Sequence, residues 1–286
     1  MKIKKLQKII IAAILVFSLS SCTKAPQEEN ALPKVSVTIA PLSEFVSRIS
    51  GGTVNVNVVV PAGADPESYD PSIDDIKALA DSEIYFTVGV PSEENSILPM
   101  ADEKTMIVHL EDAVSAQIPD LYIGDERDPH IWLSADRAVI MAEKIRDVLS
   151  ESYPENAALY ENNTEAYISE IKDSKFYAEN ILSDLENRTI IVYHPAFGYF
   201  CSEHALTMLS IESEGKEATA KELAALIDFA RENDIKTVFY QEESSGKQAK
   251  TFAEEIGGKA VMLSPLSANY IENYRLTANK IKESCK

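Results

Sequence analysis

The stretch PENAALYENNTEAYISEIKDSKFYAENILSDLEN, residues 154–187, decides the architecture. Tyr160, Tyr167, Ile171, Ala178, Ile181 and Leu185 are spaced by sums of threes and fours, the period of one helix face. No glycine or proline interrupts Glu155 to Asn187, and Pro154 suits a first helical turn, where no N–H is needed. At ~1.5 Å per residue the spacing predicts one helix of about 50 Å. The competing reading is two shorter helices with a break near Asp173-Ser174.

On both sides of this helix the pattern alternates. Before it, Lys34–Ile39, Thr53–Val60, Glu83–Val88 and Thr105–Leu110 read as strands. Helical spacing follows Pro41, a helix capped by Ser72 runs to Ala80, and residues 134–150 form an amphipathic helix with Ser134 as N-cap. After it, Thr189–Tyr193, Leu206–Ile211, Lys236–Tyr240 and Lys259–Leu263 read as strands. The helices Thr219–Asn233, Gly246–Ile256 and Tyr270–Glu283 lie between and after them. Thr219 with Glu222 makes a capping box. Alternating strands and helices predict parallel sheets with helices on their faces. The expected fold is α/β: two Rossmann-like lobes with mostly parallel four-stranded sheets, residues 34–150 and 188–286, joined by the long helix within 151–187.

The amino terminus has a basic start, an apolar run from Ile9 to Phe17 and small residues before a break, which describe a secretory signal over residues 1–21. The run is short of the ~20 residues of a membrane span. Ending in Leu19-Ser20-Ser21-Cys22, it resembles a bacterial lipoprotein signal, which implies Cys22 as the lipidated mature terminus and residues 22–33 as a flexible tether. The net charge is −19, and loss of residues 1–21 removes four lysines and no acid, leaving −23. Such a chain does not seek nucleic acid or an anionic bilayer electrostatically. A Cys201–Cys285 bond is open to an exported protein, and no CxxC pair suggests zinc or redox chemistry.

In open α/β sheets, ligands bind beyond the carboxyl ends of strands. There the loop after Thr53–Val60 presents Glu67, His194 ends its own strand, and Gln241-Glu242-Glu243 follows another. His130 arrives on the stiff segment Asp128-Pro129-His130-Ile131-Trp132-Leu133. Two imidazoles with one or two carboxylates make a shell for a divalent transition metal.

Four blocks carry a resemblance: Val60-Pro61-Ala62-Gly63-Ala64-Asp65-Pro66-Glu67-Ser68-Tyr69, the 128–133 segment, His194-Pro195-Ala196-Phe197-Gly198-Tyr199-Phe200, and Glu214-Gly215-Lys216-Glu217. In this order they resemble the cluster A-I substrate-binding lipoproteins of zinc and manganese ABC importers, over nearly all of residues 34–286. The resemblance implies a rigid linking helix, a metal in the cleft between lobes, and delivery to a membrane permease and its ATPase. It implies no bond-making chemistry, a monomer outside the cytoplasm, and a bilayer touched only through the lipid anchor. His130 and His194 match two of that family's ligands. Glu67 stands where a histidine is usual, which shifts preference toward harder ions. Ser264 stands where an Asp is frequent, leaving Glu242 or Glu243 as the compensating candidates. Residues 111–127 lack the histidine-rich loop of many zinc members.

The remaining residues have plainer readings. His109 reads as buried or as a strand end, His204 as solvated on a surface helix, Lys216–Glu217 as a local ion pair, and Trp132 and Phe197 as packing. Two rival functions remain: a surface adhesin on the same scaffold with an altered or lost site, and a metal-dependent hydrolase, which lacks an additional general base.

Overall fold

The computed structural model describes residues 31–213, 216–243 and 246–285, without the side chains of Ser213, Lys216 and Glu217. The signal, Cys22 and the Lys216–Glu217 ion pair therefore lie outside what it describes.

Two four-stranded sheets form, and every pairing in them is parallel. The first contains β1 (Lys34–Val37), β2 (Asn55–Val58), β3 (Ile84–Thr87) and β4 (Met106–His109), in the order β2-β1-β3-β4. The second contains β5 (Thr189–Val192), β6 (Thr207–Ser210), β7 (Thr237–Tyr240) and β8 (Lys259–Met262), in the order β8-β7-β5-β6. Counted along the chain, both sheets have the order 2-1-3-4, so both reverse strand order between their first and third strands. That reversal opens a crevice at the carboxyl ends. The inner strand β3 is buried at every position, whereas β2 at an edge is not, as expected of a parallel sheet covered on both faces.

The helices are α1 (Ala40–Ser50), α2 (Ile73–Ala80), α3 (Leu110–Ser115), α4 (Ala135–Ser152), α5 (Ala157–Leu182), α6 (Gly198–Glu203), α7 (Ala220–Glu232), α8 (Gly246–Glu255) and α9 (Tyr270–Ser284). The expected caps form. Ser72 and Asp75 make a reciprocal capping box, as do Thr219 and Glu222, and Ser134 accepts the Arg137 N–H. The long helix is unbroken through Asp173-Ser174 but shorter than its pattern predicts. Pro154–Asn156 forms a 3-10 turn before it, and the helix stops at Leu182 rather than near Asn187. Its 26 residues span about 39 Å. It buries Tyr160, Tyr167, Ile171, Ala178 and Leu182 against α1, α4 and α9. Phe45 of α1 meets Tyr167 edge-on at 5.2 Å between centroids and Tyr270 of α9 at 4.9 Å. One core cluster thus runs through both sheets and the helices beside them.

A second connection crosses the same region. Glu203, at the end of α6, accepts the N–H groups of Ala135 (2.8 Å) and Asp136 (3.0 Å), and so caps α4 where a helix dipole favours negative charge. Tyr274 donates to Glu203 (2.7 Å), and His204 Nε2–H donates to the Tyr274 oxygen (2.7 Å). His204 is therefore buried, not solvated, because it ends α6 against α9 rather than facing water. Burial pushes its pKa down to about 4. Cys201 and Cys285 are free thiols, so the bond that the sequence allows is not formed.

Candidate metal centre

Three segments converge. Glu67 lies in the loop after β2. Asp65 shapes this loop by accepting the Glu67 N–H (2.9 Å) and the Ser68 hydroxyl (2.7 Å). Buried Ser92 donates to the Pro66 carbonyl (2.6 Å), pinning the loop from beyond β3. There Glu93 accepts the Val88 and Gly89 N–H groups (2.9 and 2.7 Å). Burial pushes its carboxyl up to about 7, with nearby Glu111 adding to the shift.

The second segment is 128–133. Proline forces Asp128 out of helical geometry, and the chain then turns through a 3-10 turn, Ile131–Leu133, into α4. Asp128 accepts both the backbone N–H of His130 (3.0 Å) and its ring Nδ1–H (2.8 Å). Trp132 is buried, its ring 5.2 Å from the His130 ring, and its Nε1–H donates to the Pro265 carbonyl (2.9 Å). Gly198 is required nearby: a Cβ there would lie 2.5 Å from Asp128 Oδ2. Tyr199 donates to the Asp128 carbonyl (3.0 Å), tying the 128–133 segment to α6.

The third segment is His194, just past the end of β5. Its Nδ1–H donates to Glu212 Oε2 at 3.2 Å. Both histidines thus have Nδ1 occupied by an outer carboxylate and Nε2 turned inward toward Glu67. Glu67 Oε1 stands 3.5 Å from His130 Nε2 and 3.3 Å from His194 Nε2, and the two rings are 5.3 Å apart. The three potential donor atoms all lie within 4.8 Å of one another. Two imidazoles oriented by outer carboxylates, with a third carboxylate between them, form a donor set suited to a divalent transition metal with a ligand position left over.

The charges fit that use. Burial opposes a charge on His194, but Glu212 and Glu67 outweigh it and push the imidazole up to about 10. Burial alone would raise the Glu67 carboxyl, but its bond to His194 and the neighbouring His130 hold it below its ordinary value. A proton on His194 would therefore compete with a metal ion for this nitrogen, and an ion bound there would have to displace it.

The structure brings Glu67, His130 and His194 together. It leaves Glu242, Glu243 and Ser264 outside that cluster, on the wall of an adjoining cavity of about 290 Å³ with Pro61 and Gly63. Glu243 Oε2 is buried there with no hydrogen-bond partner among the described residues, and burial raises its pKa. His109 ends β4, half-exposed, and its ring donates to Glu111 (2.8 Å). Sequence reasoning missed the two carboxylates behind the histidines. Asp128 had a local signal, two residues before His130. Glu212 had none, since it meets His194 only through the pairing of β5 with β6.

A family described as the zinc-uptake complex component A, periplasmic (ZnuA), matches residues 35–284. The chain belongs to this ZnuA family. Zinc-binding lipoprotein AdcA of Streptococcus pneumoniae is 29% identical over 290 residues, covering 96% of this chain and 58% of AdcA. The chain thus spans little more than half the length of the AdcA relatives it matches. The high-affinity zinc uptake system protein ZnuA of Bacillus subtilis is 27% identical, with 92% of this chain and 89% of that protein covered. A crystal structure of ZnuA superposes with a TM-score of 0.83 at 32% identity, over 89% of this chain and 100% of that one. The ZnuA likeness extends across both sheets and the helix between them.

Proposed function

We propose that this protein is the substrate-binding component of an ABC importer. It captures one divalent transition-metal ion, zinc before manganese, between Glu67, His130 and His194, and delivers it to a permease driven by its ATPase. The observation that carries this reading is the convergence of the three donor atoms, with each histidine held by its own carboxylate. The zinc-binding names of the relatives favour zinc. The harder Glu67 oxygen, in place of a third imidazole, narrows the margin over manganese. The ion is cargo, and no bond-making step is assigned to the site. The complete cluster favours capture over an adhesin whose site has been lost.

The same proposal places the protein outside the cytoplasm as a monomer. It is held at the bilayer by lipid on Cys22 through the 22–33 tether, with residues 34–150 and 188–286 as lobes around the 151–187 linker. No helix among the described residues is long and apolar enough to cross a membrane. Calorimetry on the chelator-stripped protein tests the reading. One equivalent of zinc is expected to bind tightly and manganese more weakly, and absence of tight binding by either ion sinks the proposal.

A further inference from the structure

Glu212 stands outside the three-donor cluster and 18 residues from the histidine it touches. It arrives there because the pairing of β5 with β6 runs on past both strands. The Ile211 N–H donates to the Val192 carbonyl and the Glu212 N–H to the Tyr193 carbonyl, each at 2.9 Å. That register lays Glu212 beside His194. A neutral imidazole offers an ion only the nitrogen without a proton, and a carboxylate at Nδ1 keeps the proton there and leaves Nε2 bare.

We propose that Glu212 is the positioning residue of the His194 arm: it holds His194 as the Nδ1–H tautomer, aims Nε2 at the ion beside Glu67, and sets how fast the ion leaves. This rests on the capture reading above. The rate follows from the contrast with Asp128. Asp128 is buried and also accepts its own arm's backbone N–H, so it cannot turn away without moving His130. The Glu212 side chain is 19% exposed, and His194 is its side-chain partner among the described residues. Glu212 also lines a cavity of about 380 Å³ with Leu223, Ile227, Lys247 and Phe252, which gives it room to rotate. When it rotates, His194 loses its orientation and the ion keeps only His130 and Glu67.

The test uses the full chain with zinc alone as the probe. Affinity is read by competition with a chromophoric chelator, release by stopped flow, and the His194 tautomer from ¹⁵N shifts of the zinc-loaded protein. Glu212→Ala is expected to weaken binding about 10–100-fold, with most of the loss in the release rate, and to scatter the His194 tautomer. Glu212→Gln, whose amide oxygen still accepts from Nδ1–H, is expected to recover most of the affinity and the wild-type ¹⁵N pattern. Thermal midpoints should stay together across the series. The inference is overturned if the Ala variant binds and releases zinc like wild type. It is equally overturned if Gln loses as much as Ala while the tautomer stays fixed. If wild type itself takes up no zinc, the capture reading falls and this inference falls with it. If wild type binds and only the Glu212 series is silent, this inference alone fails.

Discussion

His130 and His194 present the same nitrogen to the same Glu67 oxygen, yet they stand on unlike ground. The His130 arm is closed on itself. Its carboxylate is two residues away and buried, Trp132 bolts it to the Pro265 carbonyl, and Tyr199 holds its backbone. The His194 arm borrows its carboxylate from another strand, and the helix that follows it ends in His204, a buried imidazole with one ring nitrogen unpartnered among the described residues. A site with one fixed and one adjustable imidazole can hold an ion firmly and still let it go. On the proposed capture function, the fixed arm would set where the ion sits, and the other would set how long it stays.

The largest blow to this contrast is Trp132→Ala. Emptying so large a buried side chain costs roughly 3–5 kcal/mol, and the hydrogen bond to Pro265 goes with it. The urea midpoint should fall accordingly. If it falls no further than for a surface substitution, the His130 arm is not the rigid one.

Next come the histidines. A four-ligand zinc site is worth roughly 10–16 kcal/mol, so loss of one ligand costs ~3 kcal/mol or more, at least about 100-fold in affinity. His130→Ala and His194→Ala are both expected to lose that much in a chelator competition. Ala at 130 should slow association as well, and Ala at 194 should act on release. Identical rate signatures would erase the distinction between the arms.

The third effect is pH dependence, and its sign differs between the regions. His204 has its folded pKa lowered from 6.5 to about 4. Its stabilisation is present above pH 6.5 and is lost as pH falls toward 4. Glu93, behind the Glu67 loop, has its folded pKa raised from 4.5 to about 7. Its stabilisation is present below pH 4.5 and is lost as pH rises toward 7. Each is worth on the order of 3 kcal/mol, and over the shared window they oppose each other. Relative to wild type, His204→Gln should make stability fall more steeply with rising pH between 5 and 6.5, and Glu93→Gln should make it rise. Denaturant midpoints across that window read both slopes, and parallel curves for all three proteins would refute the assignment.

The layers were legible in the sequence because their period is local. Alternation in Lys34–Ile39 and Thr189–Tyr193, the cap at Ser72, the capping box at Thr219, and the unbroken run after Pro154 each require only neighbouring residues. The end of the long helix was not, since the chain leaves it at Leu182 although Leu185 is still buried. The three cluster residues were legible through the motif blocks and the rule about strand ends. Glu212 and His204 were not. One acquires its partner through a parallel register and the other through the packing of α6 on α9, and neither pairing leaves a trace in sequence spacing.

Trp132 has one more consequence. It is the only tryptophan in the chain, fully enclosed, with its indole 5.2 Å from the imidazole of His130 and tilted 51° to it. The molecule therefore carries a single tryptophan fluorophore in ring contact with His130, one of the three residues proposed to hold the ion. Whatever occupies His130 Nε2 alters the charge beside the excited indole, and whatever displaces the Pro265 segment alters its hydrogen bond. On the proposed function, loading and unloading would therefore change the protein's own tryptophan emission, readable in real time with no dye attached.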